Sequence, residues 1–320
     1  MQNTNIKGDV KIKYAFFGTG TMAESTLYTL YKNNLSPEYI FTKPDSVVGR
    51  HKDLKEPLIK KWANSKNITV IQPERLKPST VDLNIDDPKN NIDGYNLLKS
   101  ILKDMDICIV SSYGKIIPME LLELPKYGFI NIHPSDLPHF RGPSPIETQL
   151  LNAYKEIVIS IMKLDVGMDT GDIIIKNKIM VDVLDTSQSL EIKCGQAGGE
   201  LILKILKDYI DGNIKLIKQN VSDKSICHFI KKEDGEIKIS KQEILESLPT
   251  SKLEKIKDAW RAFYPWPGIF FFLEEGDKRI RFKVTEFDLT KETFAKCVKK
   301  IIPEGKKEIA FEDFKRGYLK

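Results

Sequence analysis

Among the four histidines of this 320-residue chain, His133 stands two residues after an asparagine, Asn131, in the segment Tyr127-Gly-Phe-Ile-Asn-Ile-His133. Residues two apart on a strand project from the same face, so the carboxamide and the imidazole should leave the strand together. Pro134 then ends the ladder, and the irregular loop that follows can turn backbone groups toward a ligand. Further on, Asp169 lies between Gly167 and Gly171 in a sharp turn after the apolar stretch Ile157 to Leu164. An amide N–H can stabilise an oxyanion as it forms. An imidazole can relay the proton that an attacking amine must lose. A carboxylate beside that imidazole fixes its tautomer and raises its pKa. Brought together, Asn131, His133 and Asp169 could run acyl transfer to an amine. No Ser or Cys occupies a nucleophile elbow, which favours direct transfer over a covalent acyl-enzyme. The same residues would also fit a strand-end His and an Asp bonded within its own turn.

A second glycine pattern competes for attention. Gly18, Gly20 and Ala23 form a G-x-G-x-x-A between a strand and a helix, in outline a dinucleotide fingerprint. That fingerprint also needs an acidic residue closing the second strand. Here the strand ends Thr42-Lys43-Pro44, and the first carboxylate, Asp45, falls in the turn. No NAD is expected. Cys108, Cys194, Cys227 and Cys297 are scattered without a CxxC pair, so reduced thiols and no metal site are expected.

The elements that must position these groups alternate. Apolar strands are expected in the opening stretch from Lys11 into the glycine turn at Gly18, and at Tyr39 to Thr42, Ile68 to Ile71, Ile107 to Val110 and Gly128 to Asn131. Helices are expected at Met22 to Lys32, Glu56 to Asn64, Leu97 to Lys103 and Ser189 to Ile210. Short buried strands alternating with helices predict an α/β, Rossmann-like domain with a parallel-rich sheet. Ligands of such sheets bind beyond the carboxyl ends of the strands. Asp211-Gly-Asn213 marks a boundary, giving a first domain of residues 1–212 and a second of 213–320. The second holds a helix at Ser251 to Phe263 and β-rich pieces at Ile269 to Leu273, Ile280 to Val284 and Lys299 to Lys307, as expected of a small barrel. Trp62 and Trp260 are expected to pack helices. Ala262 to Pro267 is expected to form a rigid corner packing the second core, with stacking of Trp266 on a base as the alternative.

Three motifs, Asn131-Ile-His-Pro-Ser-Asp-Leu-Pro138, Arg141-Gly-Pro-Ser-Pro-Ile146 and Asp165-Val-Gly-Met-Asp-Thr-Gly-Asp172, resemble the signature of 10-formyltetrahydrofolate-dependent formyltransferases. The resemblance runs almost end to end, through Phe16-Phe-Gly-Thr19, Phe41-Thr-Lys-Pro-Asp45, Ser112-Tyr-Gly-Lys-Ile-Ile-Pro118 and Ala262-Phe-Tyr-Pro-Trp-Pro267. It implies that Asn131 binds the formyl oxygen, that His133 transfers protons and that Asp169 orients and charges that His. It implies a folate site at Tyr113 and Gly114, which match a segment lining the pterin pocket, and at Ser135, Asp136, Leu137 and Pro138. Asp136 departs from the Leu usual there. It further implies 10-formyltetrahydrofolate as co-substrate, no metal, and a C-terminal OB-like β-barrel.

The basic stretch from Thr42 to Pro57 resembles the loop with which some members of the family reach the acceptor end of tRNA, and Arg50, Lys52 and Lys55 could pair with phosphates. Residues Lys215 to Lys320 hold 24 Lys and Arg against 18 Asp and Glu, a net of +6, whereas the whole chain carries +5. A basic surplus confined to the tail suits an RNA partner, though a solvated Lys-rich surface would look the same. The expected reaction is therefore formylation of methionyl initiator tRNA by a cytoplasmic monomer without membrane association. A nucleotide-linked amino sugar is the alternative acceptor, and a non-enzymatic RNA-binding module or an NAD oxidoreductase the remaining rivals. No stretch approaches the roughly 20 apolar residues that cross a bilayer.

Overall fold

The computed structural model describes residues 12–48, 53–74, 76, 83–84, 94–275 and 278–319. The chain separates into two compact units. The first comprises Met1–Pro143, Ile157–Ile179 and Glu191–Cys227; the second comprises Ser144–Glu156, Met180–Leu190 and His228–Lys320.

In chain order the elements up to residue 210 are β1 (Tyr14–Gly18), α1 (Thr21–Lys32), β2 (Tyr39–Phe41), β3 (Ser46–Val48), β4 (Asp53–Lys55), α2 (Leu58–Asn64), β5 (Thr69–Pro73), β6 (Leu83–Asn84), α3 (Gly94–Lys103), β7 (Ile107–Ser111), α4 (Met119–Leu122), β8 (Phe129–His133), α5 (Pro145–Leu151), β9 (Glu156–Lys163), β10 (Ile173–Met180) and α6 (Ser187–Ile210). Eight strands form one sheet in the order β10-β9-β8-β7-β1-β2-β5-β6. The middle five run parallel, while β9 and β6 pair antiparallel with β8 and β5. Every residue of β1, β7 and β8 is buried, as a sheet covered on both faces demands. Phe17 stacks on Phe41 with ring centroids 4.3 Å apart, and Phe129 and Tyr113 each meet Phe17 edge-on at 5.2 Å. Burying each ring contributes about 2–3 kcal/mol.

This core determines where the chemistry lies. Phe129 packs in it, and Asn131 and His133 continue the same face of β8 toward the carboxyl edge. Val110 of β7 pairs with Asn131, and Ser160 of β9 pairs with His133. Because β1, β7 and β8 are parallel, the turns after Gly18, Ser111 and His133 share that edge. A separate hairpin, β3–β4, carries the Thr42-to-Pro57 stretch, with Ser46 paired to Lys55.

The boundary after residue 212 is displaced. Ile217 exchanges two backbone bonds with Ile173 (2.8 and 2.9 Å), and Cys227 N donates to Arg141 O at 2.8 Å, so residues 213–227 are tied to the first unit. Besides short 3₁₀ turns at Val221–Asp223 and Lys232–Gly235, the remaining elements are α7 (Lys241–Leu245), α8 (Thr250–Phe263), β11 (Phe270–Glu275), β12 (Lys278–Phe287), α9 (Phe294–Cys297), β13 (Val298–Pro303), β14 (Ile309–Ala310) and α10 (Phe311–Tyr318). β11 to β14 form an antiparallel sheet in chain order, a small β domain compatible with the expected OB-like module. Its core is aromatic: Phe282 meets Phe314 at 4.9 Å and Phe271 at 5.6 Å.

Trp266 overturns the expectation that it packs this core. It is 60% exposed, whereas Trp260 (6%) and Phe263 (3%), on the buried face of α8, fill the interior. Trp266 lies beyond the helix end, where the backbone turns outward.

Candidate active site

Asn131 is 9% exposed, and its side-chain carboxamide forms no hydrogen bond with any described residue. Buried amides are normally paired, so this one is an available donor at the sheet edge. His133 is 4% exposed. Its Nε2 lies 2.9 Å from the Phe140 carbonyl oxygen. A carbonyl only accepts, so Nε2 carries the hydrogen and Nδ1 is the bare nitrogen of the neutral ring. Nδ1 faces Asp169 Oδ1 at 3.7 Å, too long for a hydrogen bond but within ion-pair distance once the ring takes a proton. Phe140 therefore sets the tautomer that sequence reasoning assigned to Asp169.

Asp169 is held by its turn. Its φ is +54°, a left-handed conformation that costs a non-glycine residue about 1–2 kcal/mol. Its Oδ2 accepts from Gly142 N at 2.8 Å. Two glycines are needed here. A Cβ on Gly142 would stand 2.4 Å from the Cys227 carbonyl oxygen at φ +115°, and one on Gly171 would stand 1.7 Å from the Lys163 carbonyl oxygen. Asp165 Oδ1 accepts from Gly167 N (3.1 Å) and Thr170 Oγ1 (2.6 Å), closing the turn from within.

The loop after His133 is as tightly bonded. Ser135 is fully buried; its hydroxyl donates to His139 O at 2.6 Å, and its carbonyl accepts from Ser160 Oγ at 2.6 Å. Leu137, also fully buried, packs on Met162 and Ile173. Asp136, the departure from the family pattern, points outward and pairs with Lys176 Nζ at 2.5 Å; the same ammonium donates to Leu137 O at 2.6 Å. On this chain a lysine of β10 thus bridges the loop that the altered residue sits on. Tyr113 is 2% exposed with its ring in the core, and burial pushes its phenol well up. Its hydroxyl has no partner among the described residues. Ser112 and Gly114 on either side are exposed at φ +50° and +69°. Beyond them Lys115 donates to the Glu74 carbonyl at 2.9 Å, and burial, helped by nearby Lys43, lowers its pKa.

The dinucleotide alternative meets an obstacle at the start of α1. The Glu191 carboxyl bonds to Thr21 there, and burial raises its pKa, so the anion-favouring helix end already faces an acid of the chain. Among the described residues no cluster of three or more His, Cys, Asp or Glu is placed to hold a metal ion, and no helix is long and apolar enough to cross a membrane.

Residues 10–206 match the formyl transferase family. The chain belongs to that family. A methionyl-tRNA formyltransferase of Dictyoglomus thermophilum is 33% identical over 96% of this chain and 97% of its own length. One of Thermodesulfovibrio yellowstonii is 31% identical over 94% of each. Among solved structures, a methionyl-tRNA formyltransferase from Clostridium thermocellum matches with a TM-score of 0.52 and 18% identity, covering 94% of this chain and 100% of the other. An N-formyltransferase from Helicobacter canadensis in complex with folinic acid and dTDP-3-aminofucose matches with a TM-score of 0.55 and 20% identity, covering 94% and 99%. At such identities the two structures speak for the fold alone.

In this formyltransferase three contacts of the site had no signal in the sequence: Phe140 through its carbonyl, Lys176 through its ammonium, and Gln219. Gln219 Nε2 donates to the carbonyls of Asp169 (3.0 Å) and Gly171 (2.7 Å) from 50 residues away. Of the tRNA candidates, Lys55 is exposed at the end of β4, while Arg50 and Lys52 lie outside the described residues. A cleft of about 660 Å³ opens beside the Asp169 turn, lined in part by Leu122, Tyr127, Lys163, Leu164, Asp165 and Tyr209. None of the candidate residues lines it.

Proposed function

We propose that this formyltransferase moves the formyl group of 10-formyltetrahydrofolate onto the α-amino group of methionyl initiator tRNA, giving N-formylmethionyl-tRNA and tetrahydrofolate. The unpartnered Asn131 carboxamide carries the reading. It lies two residues, about 6.6 Å along the strand, before an imidazole whose bare nitrogen faces a carboxylate.

The folate supplies the formyl carbon. Asn131 donates its N–H to the formyl oxygen as negative charge gathers there. His133 Nδ1 takes the proton that the amine loses as its nitrogen bonds to the formyl carbon, and Asp169 stabilises the imidazolium. The carbon–nitrogen bond to the folate then breaks, and His133 returns the proton to the departing nitrogen. Ser135, Asp136, Leu137 and Pro138, with the exposed backbone beside Tyr113 and Gly114, would hold the folate. Arg50, Lys52 and Lys55 would meet phosphates of the acceptor stem, and the basic C-terminal unit would carry the rest of the tRNA. The protein would act as a cytoplasmic monomer.

The test offers 10-formyltetrahydrofolate with charged initiator tRNA, charged elongator tRNA and a dTDP-amino sugar. Formylation of initiator tRNA supports the proposal; formylation of the sugar alone refutes the acceptor.

A further inference from the structure

We infer that Gln219 is a positioning residue, which acts on the reaction by holding Asp169 against His133. The inference rests on the formyl-transfer reading for its kinetic consequences and on geometry for the rest.

Asp169 is the member of the trio that the fold secures least directly. Asn131 and His133 belong to a buried strand, but Asp169 sits on a turn, in a left-handed conformation. Gln219 compensates from outside the turn. Its Nε2 supplies both amide hydrogens, one to Asp169 O at 3.0 Å and one to Gly171 O at 2.7 Å. Its Oε1 accepts two bonds from the guanidinium of Arg141, from Nε at 3.1 Å and Nη2 at 2.7 Å. The orientation of the amide is therefore unambiguous, because guanidinium only donates and carbonyls only accept. Arg141 is 5% exposed, and the pull of its charge on Oε1 strengthens the two bonds that Nε2 donates.

The neighbours of Arg141 touch the other two groups of the pair. Phe140 O accepts from His133 Nε2, and Gly142 N donates to Asp169 Oδ2. Three consecutive residues thus hold the ring, the glutamine and the carboxylate. This segment is itself pinned, with Arg141 N donating to Ser225 O and Cys227 N to Arg141 O. The passage 219–227, which makes a 3₁₀ turn at Val221–Asp223, thus serves the catalytic pair although it lies far from either in sequence.

The charged groups on the elements that meet His133 are Asp169 on its turn, Arg141 next to Phe140, and Asp136 on the following loop, paired with Lys176 of β10. Of these only Asp169 faces Nδ1 within ion-pair range. Loss of the glutamine's grip should move Asp169 off its approach to Nδ1 and off the Gly142 N–H that it accepts.

Gln219→Glu keeps the acceptor for Arg141 but sets a carboxylate against two carbonyls. Gln219→Met removes both kinds of bond at nearly equal volume. Each variant should lower kcat about 10- to 100-fold with the KM for 10-formyltetrahydrofolate within twofold of the parent. The Gly142 amide proton, which Asp169 Oδ2 accepts, should lose its hydrogen-bonded NMR shift in both. In an Asp169→Asn background neither change should add a further loss, since residues acting as one unit are not additive. A parental Gly142 amide resonance in a folded Gln219 variant overturns the inference, and so does a full additional kcat loss beside Asp169→Asn. If the parent formylates no acceptor, the proposed function fails, yet the Gly142 amide resonance still decides whether Gln219 positions Asp169.

Discussion

Replacing Asn131 by alanine separates chemistry from folding at this site. A buried amide donor normally serves the protein, and its removal then costs stability. The Asn131 carboxamide bonds to no described residue, so Asn131→Ala breaks no hydrogen bond among the described residues and removes three heavy atoms from a position 9% exposed. The expected loss of stability is about 1 kcal/mol. A donor aimed at a developing oxyanion is worth far more to the reaction, about 2.7–4 kcal/mol, or 10²- to 10³-fold in kcat. Because the donor works mainly in the transition state, KM should change little. The assay follows tetrahydrofolate release with charged initiator tRNA under saturating conditions, with urea unfolding of the same preparations alongside. A kcat loss below about threefold would refute the oxyanion role. A destabilisation of several kcal/mol would show instead that the amide supports the fold.

Three further outcomes follow from particular contacts. Gly142→Ala brings a Cβ to 2.4 Å from the Cys227 carbonyl at φ +115°; it should cost about 1–3 kcal/mol in urea unfolding and lower kcat by displacing the N–H that Asp169 accepts. Lys176→Met breaks an exposed ion pair and a bond to Leu137 O; stability should change by about 1 kcal/mol or less, while the KM for 10-formyltetrahydrofolate rises, and an unchanged KM would remove Lys176 from the folate loop. Trp266→Ala removes a ring that is 60% exposed; unfolding should shift by about 0.5 kcal/mol or less, and if the indole stacks on a base, tRNA affinity should fall about 10-fold, within the 1–3 kcal/mol expected of one stacked base, as read by filter binding at fixed salt.

Much of the site was legible before any coordinates. The alternation of β8 required Asn131 and His133 to share a face, the apolar runs of β1, β7 and β8 required a covered sheet, and Gly167 and Gly171 required a turn around Asp169. Each of these follows from local backbone geometry, which neighbours in the chain determine. Trp266 defeated the same kind of reasoning. A composition of Pro, Trp and Tyr fits a packed corner and an exposed one equally well, and only the filling of the interior by Trp260 and Phe263 decided between them. The boundary after residue 212 failed likewise, since the Ile173–Ile217 pairing that moves it is invisible in the turn residues that suggested it.

What the sequence determined by itself is therefore the inventory and its local geometry: an amide and an imidazole on one strand edge, a carboxylate on a glycine-flanked turn, and the basic surplus of the tail. Tertiary structure alone decided the partnerships. It placed Phe140 O on His133 and so chose the tautomer, set Lys176 against Asp136, and brought Gln219 and Arg141 beneath the Asp169 turn. Backbone periodicity acts over a few residues, whereas contacts across 7 to 78 positions depend on how whole elements pack.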